Sequence, residues 1–213
     1  MKTDDLVVAL ARAAEPVDPG TASRRLVTWS GLGIVAAVPP MLLLLGLNPD
    51  LAEDSRTPMF WVKALFVVVI ALVAWRLVRR LAQPGADPRG AARALPLPFI
   101  AMAVLAVSVL VAAAPGERLA LVLGSSWNSC PVNIAILSAP AFVLMMAAVR
   151  TLAPTRLRLA GAATGLLAGA LGTLVYLLHC PELEAPFLAI WYVLGMLIPA
   201  ALGALFGPRV LAW

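Results

Sequence analysis

The sequence predicts an all-α, polytopic membrane protein: a six-transmembrane-helix bundle with both termini on the cytoplasmic side. Three observations predict it. The chain's 213 residues are 62% hydrophobic and 13% charged, roughly half the charged share of an ordinary soluble domain. Six blocks of mostly apolar sequence each approach the roughly 20 residues that a spanning helix needs: Leu26–Gly46, Met59–Val78, Leu95–Ala114, Val132–Val149, Leu157–Leu178 and Pro186–Phe206. Most of the 16 basic residues fall before the first block, around the second and fourth connections, and after the last block. By the positive-inside bias, those segments are cytoplasmic.

The segment before the first block, residues 1–25, reads as a cytoplasmic tail, and residues 26–213 as the membrane domain. Thr3 suits a helix N-cap, Asp4 and Asp5 suit the positive dipole of the first turn, and Leu6, Val7, Leu10 and Ala14 form one apolar stripe that stops at Pro16. So short a helix gains stability only against another surface, either the membrane and loops or the groove of a protein partner. The tail's basic residues are matched by Asp4, Asp5, Glu15 and Asp18, which leaves no net charge for anionic lipid and favours a protein. Ser23-Arg24-Arg25 is followed by too long an apolar run for a cleaved signal, so the first block reads as an anchor.

Pro39-Pro40, Pro140 and Pro199 interrupt their blocks and predict kinks. Gly161, Gly165 and Gly169 recur every four residues in the fifth block, as do Gly203 and Gly207 in the sixth. Such faces allow close helix crossing, within one bundle or between two copies in a homodimer. Trp29, Trp61, Trp75, Trp127 and Trp191 fall near the expected interfaces, where an aromatic belt belongs. Lys63 lies about one turn inside its block, and its stem is long enough to carry the ammonium out to water; the alternative is a buried partnership with an acid such as Glu182. No Asp or Glu stands at mid-depth, which weighs against proton- or cation-coupled transport. The net charge of +5 belongs to topology and lipid contact and makes no case for nucleic acid binding.

Chemistry concentrates in two places. Cys130 and Cys180, the only cysteines, sit in Asn128-Ser-Cys-Pro131 and Leu178-His-Cys-Pro-Glu182, at the outer ends of the fourth and fifth blocks. Three readings are open: a structural disulfide suited to an oxidising compartment, a reversible thiol switch or soft-metal site, and unpaired inert thiols. A metal site would use Cys130, Cys180 and His179, the single histidine; two thiols suffice for linear Cu(I) or transient capture of a thiophilic ion, and fall short of structural zinc. His179 equally suits a donor to free carbonyls at a helix end. No cofactor is obligatory on this reading.

In these residues the chain resembles the NrsF-type membrane anti-sigma factors, negative regulators of extracytoplasmic-function sigma factors in bacteria. The resemblance rests on Met1-Lys-Thr-Asp-Asp-Leu6, the six-block layout, the cysteine before the fourth block, Leu178-His-Cys-Pro-Glu182, the glycine-rich fifth block and the terminal Trp213. It implies a protein of the bacterial inner membrane whose cytoplasmic segments hold a sigma factor. The candidate contact residues are Lys2, Thr3, Asp4, Asp5, Leu6 and Leu10, and Cys130 and Cys180 answer heavy-metal or oxidative stress.

The rival class is a small transporter or channel for a metal ion or other solute, which requires a continuous polar path. An enzyme is not expected. The cysteines do not form the close pair of a thiol-disulfide oxidoreductase, and the one histidine has no nucleophile and orienting acid at recognisable spacing.

Overall fold

The computed structural model describes residues 20–212 together with Thr3, Asp5 and Val7. The described residues form helices and loops, without strands, and six of the helices are long and apolar enough to cross a membrane. They are α1 (Thr21–Leu45), α2 (Pro58–Leu81), α3 (Arg89–Ala112), α4 (Cys130–Arg150), α5 (Leu157–Tyr176) and α6 (Ala185–Val210). Each of the six predicted blocks is therefore a helix. The helix α1 starts earlier than its block and takes in Arg24 and Arg25.

Local chemistry explains the helix starts. Thr57 caps α2 by accepting from the Phe60 amide at 3.4 Å, and Pro58 follows at a position where a missing amide proton costs nothing. Pro131 plays the same part in the first turn of α4, directly after Cys130. One proline pair inside a helix locally widens the ladder. After Pro39-Pro40 the last turn of α1, Met41–Leu45, is a π-helix. A second π-turn, Leu188–Tyr192, lies near the start of α6 and carries Trp191 and Tyr192.

The middle of the bundle is α5. In its apolar stretch 83% of residues are buried, against 17% in α3, so α5 is the core helix and α3 a peripheral one. It packs against α6, α4, α2 and α1. Glycine makes the α5–α6 contact: a methyl group at Gly161 would run into the carbonyl oxygen of Gly203, and one at Gly165 into that of Pro199. The glycine faces are thus spent within one chain, which removes them as the homodimer surface that their spacing also allowed.

Interior polar groups are few. Ser138, Thr164 and Thr173 are buried, and each hydroxyl donates to the carbonyl four residues back in its own helix, at 2.6, 2.7 and 2.7 Å. They satisfy themselves and offer no continuous polar path. The outward faces, by contrast, expose Leu43, Leu44, Val104, Val111 and Val143, an apolar girdle suited to lipid.

The loops collect at two ends. One end holds the connections 46–57, 113–129 and 177–184, tied together by Asn48 N–H donating to Leu178 O at 2.9 Å. The other holds connections 82–88 and 151–156, where Arg25 donates to Thr151 Oγ1 at 2.8 Å and Arg79 to Ser23 Oγ at 3.3 Å.

Candidate thiol site

Cys130 opens α4, its amide bonded to Ser126 O at 2.9 Å as the preceding turn winds into the helix. Cys180 lies where the chain leaves α5, its amide bonded to Tyr176 O at 3.1 Å. Adjacent packing of α4 and α5 brings the two side chains together. Both are free thiols, and both are buried, at 0% and 2% exposure. The sulfurs are close enough for the Cys130 thiol to donate to Cys180. That donation draws the Cys180 thiol down to about 6; burial opposes the shift and the charge of Lys63 assists it.

Lys63 is the residue whose placement departs furthest from expectation. It does not snorkel: its side chain is fully buried, and Nζ donates to the backbone carbonyls of Cys180 at 2.7 Å and Glu182 at 3.0 Å. The ammonium also stands 5.4 Å from the centre of the Tyr192 ring. Lys63 does meet Glu182, but through its main chain. The Glu182 carboxylate instead accepts from Ser125 N at 2.7 Å, Ser125 Oγ at 2.6 Å and Ser126 Oγ at 3.3 Å. The acidic groups nearest in electrostatic reach of the ammonium are the two thiols, Asp54 and Glu182.

Three loops close over the pair. Gly124 adopts φ +57°, and a Cβ there would meet Glu182 Oε2 at 2.6 Å, so only glycine allows loop 113–129 to lie against the Glu182 strap. Trp191, carried on the π-turn, donates from Nε1 to Val122 O at 2.8 Å and meets Trp127 at a 47° tilt with ring centres 5.4 Å apart. Tyr176 and Tyr192 flank the sulfurs, with ring centres 6.0 Å apart. Among the described residues the buried Tyr192 hydroxyl has no hydrogen-bond partner.

His179 faces elsewhere. Its Nδ1 lies 3.1 Å from Gly46 O, the carbonyl that follows α1, so the protonated tautomer donates to the end of a neighbouring helix. Among the described residues no three His, Cys, Asp or Glu side chains gather where a metal ion could be held. The structure therefore unites Cys130 with Cys180 and separates His179 from them. Of the candidate contact residues, Thr3 and Asp5 are helical and exposed, while Lys2, Asp4, Leu6 and Leu10 lie outside the described residues.

The family model NrsF, described as negative regulator of sigma F, matches residues 10–213. The chain belongs to the NrsF family. It is 47% identical over 213 residues to the probable anti-sigma-F factor NrsF of Azospira oryzae, and 40% identical over an alignment of 219 positions to the anti-sigma-F factor NrsF of Caulobacter vibrioides. Both alignments cover 100% of this chain and 100% of the relative. These NrsF relatives are named as regulators, not as enzymes. No solved structure matches the chain.

Lys63, Gly124, Ser125, Ser126, Tyr176 and Tyr192 form the surroundings that sequence reasoning did not assign to the site. One signal was available: a lysine within an apolar run is costly and marks a functional position by default.

Proposed function

We propose that this NrsF-family chain is an anti-sigma factor of the bacterial inner membrane, with both termini in the cytoplasm and the thiol end in the periplasm. It holds an extracytoplasmic-function sigma factor by cytoplasmic segments, among them Lys2, Thr3, Asp4, Asp5, Leu6 and Leu10. It releases that partner when Cys130 and Cys180 respond to a soft metal ion or an oxidant. The family membership supports the regulatory role. The single observation that carries the sensing role is the meeting of the only two cysteines, which are 50 positions apart in sequence, in one buried site at the end opposite most of the arginines.

Two reactions suit such a pair. A peroxide takes two electrons and two protons from the thiols; both S–H bonds and the O–O bond break, one S–S bond forms, and two waters leave. A soft divalent ion instead displaces two protons and bridges the sulfurs, with no ligand from His179 required. Either event pulls on the Cys180–Glu182 strap, whose carbonyls are held by Lys63 of α2. At its far end, about 24 Å along the helix axis, the same helix presents Arg79 to Ser23, the start of α1 and the root of the tail. Helix α2 is the rigid element through which the two ends communicate on this reading. A tenfold loss of partner affinity asks for about 1.4 kcal/mol of difference between the two states.

The test is transcription from a sigma-dependent reporter in cells challenged with Cd(II) or peroxide. The wild type induces, and Cys130→Ser with Cys180→Ser stays repressed. Unchanged induction in the double variant removes the sensing role.

A further inference from the structure

A groove of about 440 Å³ runs between α2 and α3, walled by apolar side chains including Leu65, Phe66, Val69, Val73, Pro98 and Met102. Helix α3 leaves it open because α3 packs on the start of α6 and only sparsely along α2. The groove does not end blindly. Val73 and Ala94 also line a second cleft of about 410 Å³, whose other walls include Trp75, Arg76, Arg79 and Arg80. That cleft shares Arg80 and Asp87 with a third, of about 430 Å³, which adds Arg89 and Arg156.

Among the described residues the charges lining these clefts are not balanced. Asp87 is the acid lining these clefts, 3.9 Å from Arg89, with both side chains exposed. Among the described residues the buried Arg79 Nε has no hydrogen-bond partner, Nη1 makes a 3.3 Å bond to Ser23, and the guanidinium lies over the Trp75 ring at 5.6 Å. An unpaired buried guanidinium N–H in a cleft of arginines asks for an anion with several acceptor oxygens. The apolar groove that opens from the same cleft asks for a hydrocarbon chain.

We propose that the α2–α3 groove and the arginine cleft at its end are one binding site for an anionic phospholipid, its acyl chain between α2 and α3 and its phosphodiester on Arg76, Arg79 and Arg80. Bound there, the lipid fills the gap beside the peripheral helix and neutralises the end of α2. This goes beyond the thiol-sensing reading and rests only on its membrane placement.

The experiment uses the full chain, extracted in detergent and stripped of lipid. Phosphatidylglycerol, phosphatidylcholine and inorganic phosphate are each titrated, with bound lipid read by native mass spectrometry and Tm by thermal unfolding. Phosphatidylglycerol binds and raises Tm, phosphatidylcholine binds more weakly, and inorganic phosphate leaves Tm unchanged. Arg79→Gln with Arg80→Gln weakens phosphatidylglycerol roughly 30-fold, and Val73→Trp, which blocks the groove and leaves every arginine in place, weakens it as well. The inference is overturned by equal binding of the two lipids, by phosphate protecting as well as phosphatidylglycerol, or by both variants retaining wild-type affinity. A chain that stays in solution without detergent instead overturns the membrane placement itself, and this inference with it.

Discussion

The two ends of the bundle handle their charges in opposite ways. At the thiol end, Lys63 is roofed by carbonyls, Glu182 is held by three donors from Ser125 and Ser126, and three loops close over Cys130 and Cys180. At the arginine end, Arg79 keeps an orphaned N–H and Arg89 meets Asp87 only at 3.9 Å in the open. The first is a closed site; the second, among the described residues, is an open surface whose charges are incompletely paired.

The comparison can be broken most severely where both ends share a support. Gly161→Leu drives a side chain into the Gly203 carbonyl, and overpacking at a backbone-to-backbone crossing costs about 3 kcal/mol or more. Loss of a monodisperse peak after detergent extraction is the expected result. Next comes Lys63→Met, which keeps the bulk and removes the donor of the Cys180 and Glu182 carbonyls, at a cost of about 2–3 kcal/mol. Its Tm falls, and an impermeant maleimide labels the two thiols faster than in wild type. Gly124→Ala asks a side chain to adopt φ +57° and to press on Glu182, for about 1–2 kcal/mol and a smaller gain in labelling. The smallest effect belongs to the other end: Arg89→Gln changes stability in detergent by less than about 0.5 kcal/mol, because its one ion pair is long and exposed. A loss as large as that of Lys63→Met would erase the distinction between the ends.

Much of the closed end was legible only in part. The six spans follow from block length and composition, and the meeting of Cys130 and Cys180 follows from two cysteines at matching ends of adjacent helices. The glycine spacing announced close crossing and left its partner open; the partner is α6 of the same chain. For Lys63 the sequence leaves snorkelling and a buried partnership near Glu182 open; burial prevails, through the Glu182 main chain, because loops distant in sequence cover the boundary. For His179 the sequence leaves two roles open, ligand beside Cys180 and donor to carbonyls at a helix end; the turn after Tyr176 brings the ring to the Gly46 carbonyl at the end of α1, which is the second. Neither outcome is encoded in a window of sequence; both depend on how connections 46–57, 113–129 and 177–184 fold onto one another. At the arginine end the charge itself was plain, and its topological reading concealed the cleft that α3 leaves beside α2.

Purified complex of the full chain with its sigma factor, immobilised in nanodiscs and oxidised with peroxide, tests the central claim most directly. Mass spectrometry follows loss of two hydrogens between Cys130 and Cys180, and partner retention is measured on the same sample. The account predicts at least tenfold weaker retention once the S–S bond has formed, with no change in Cys130→Ser. Full retention of the sigma factor on a chain whose two sulfurs are quantitatively joined would contradict it.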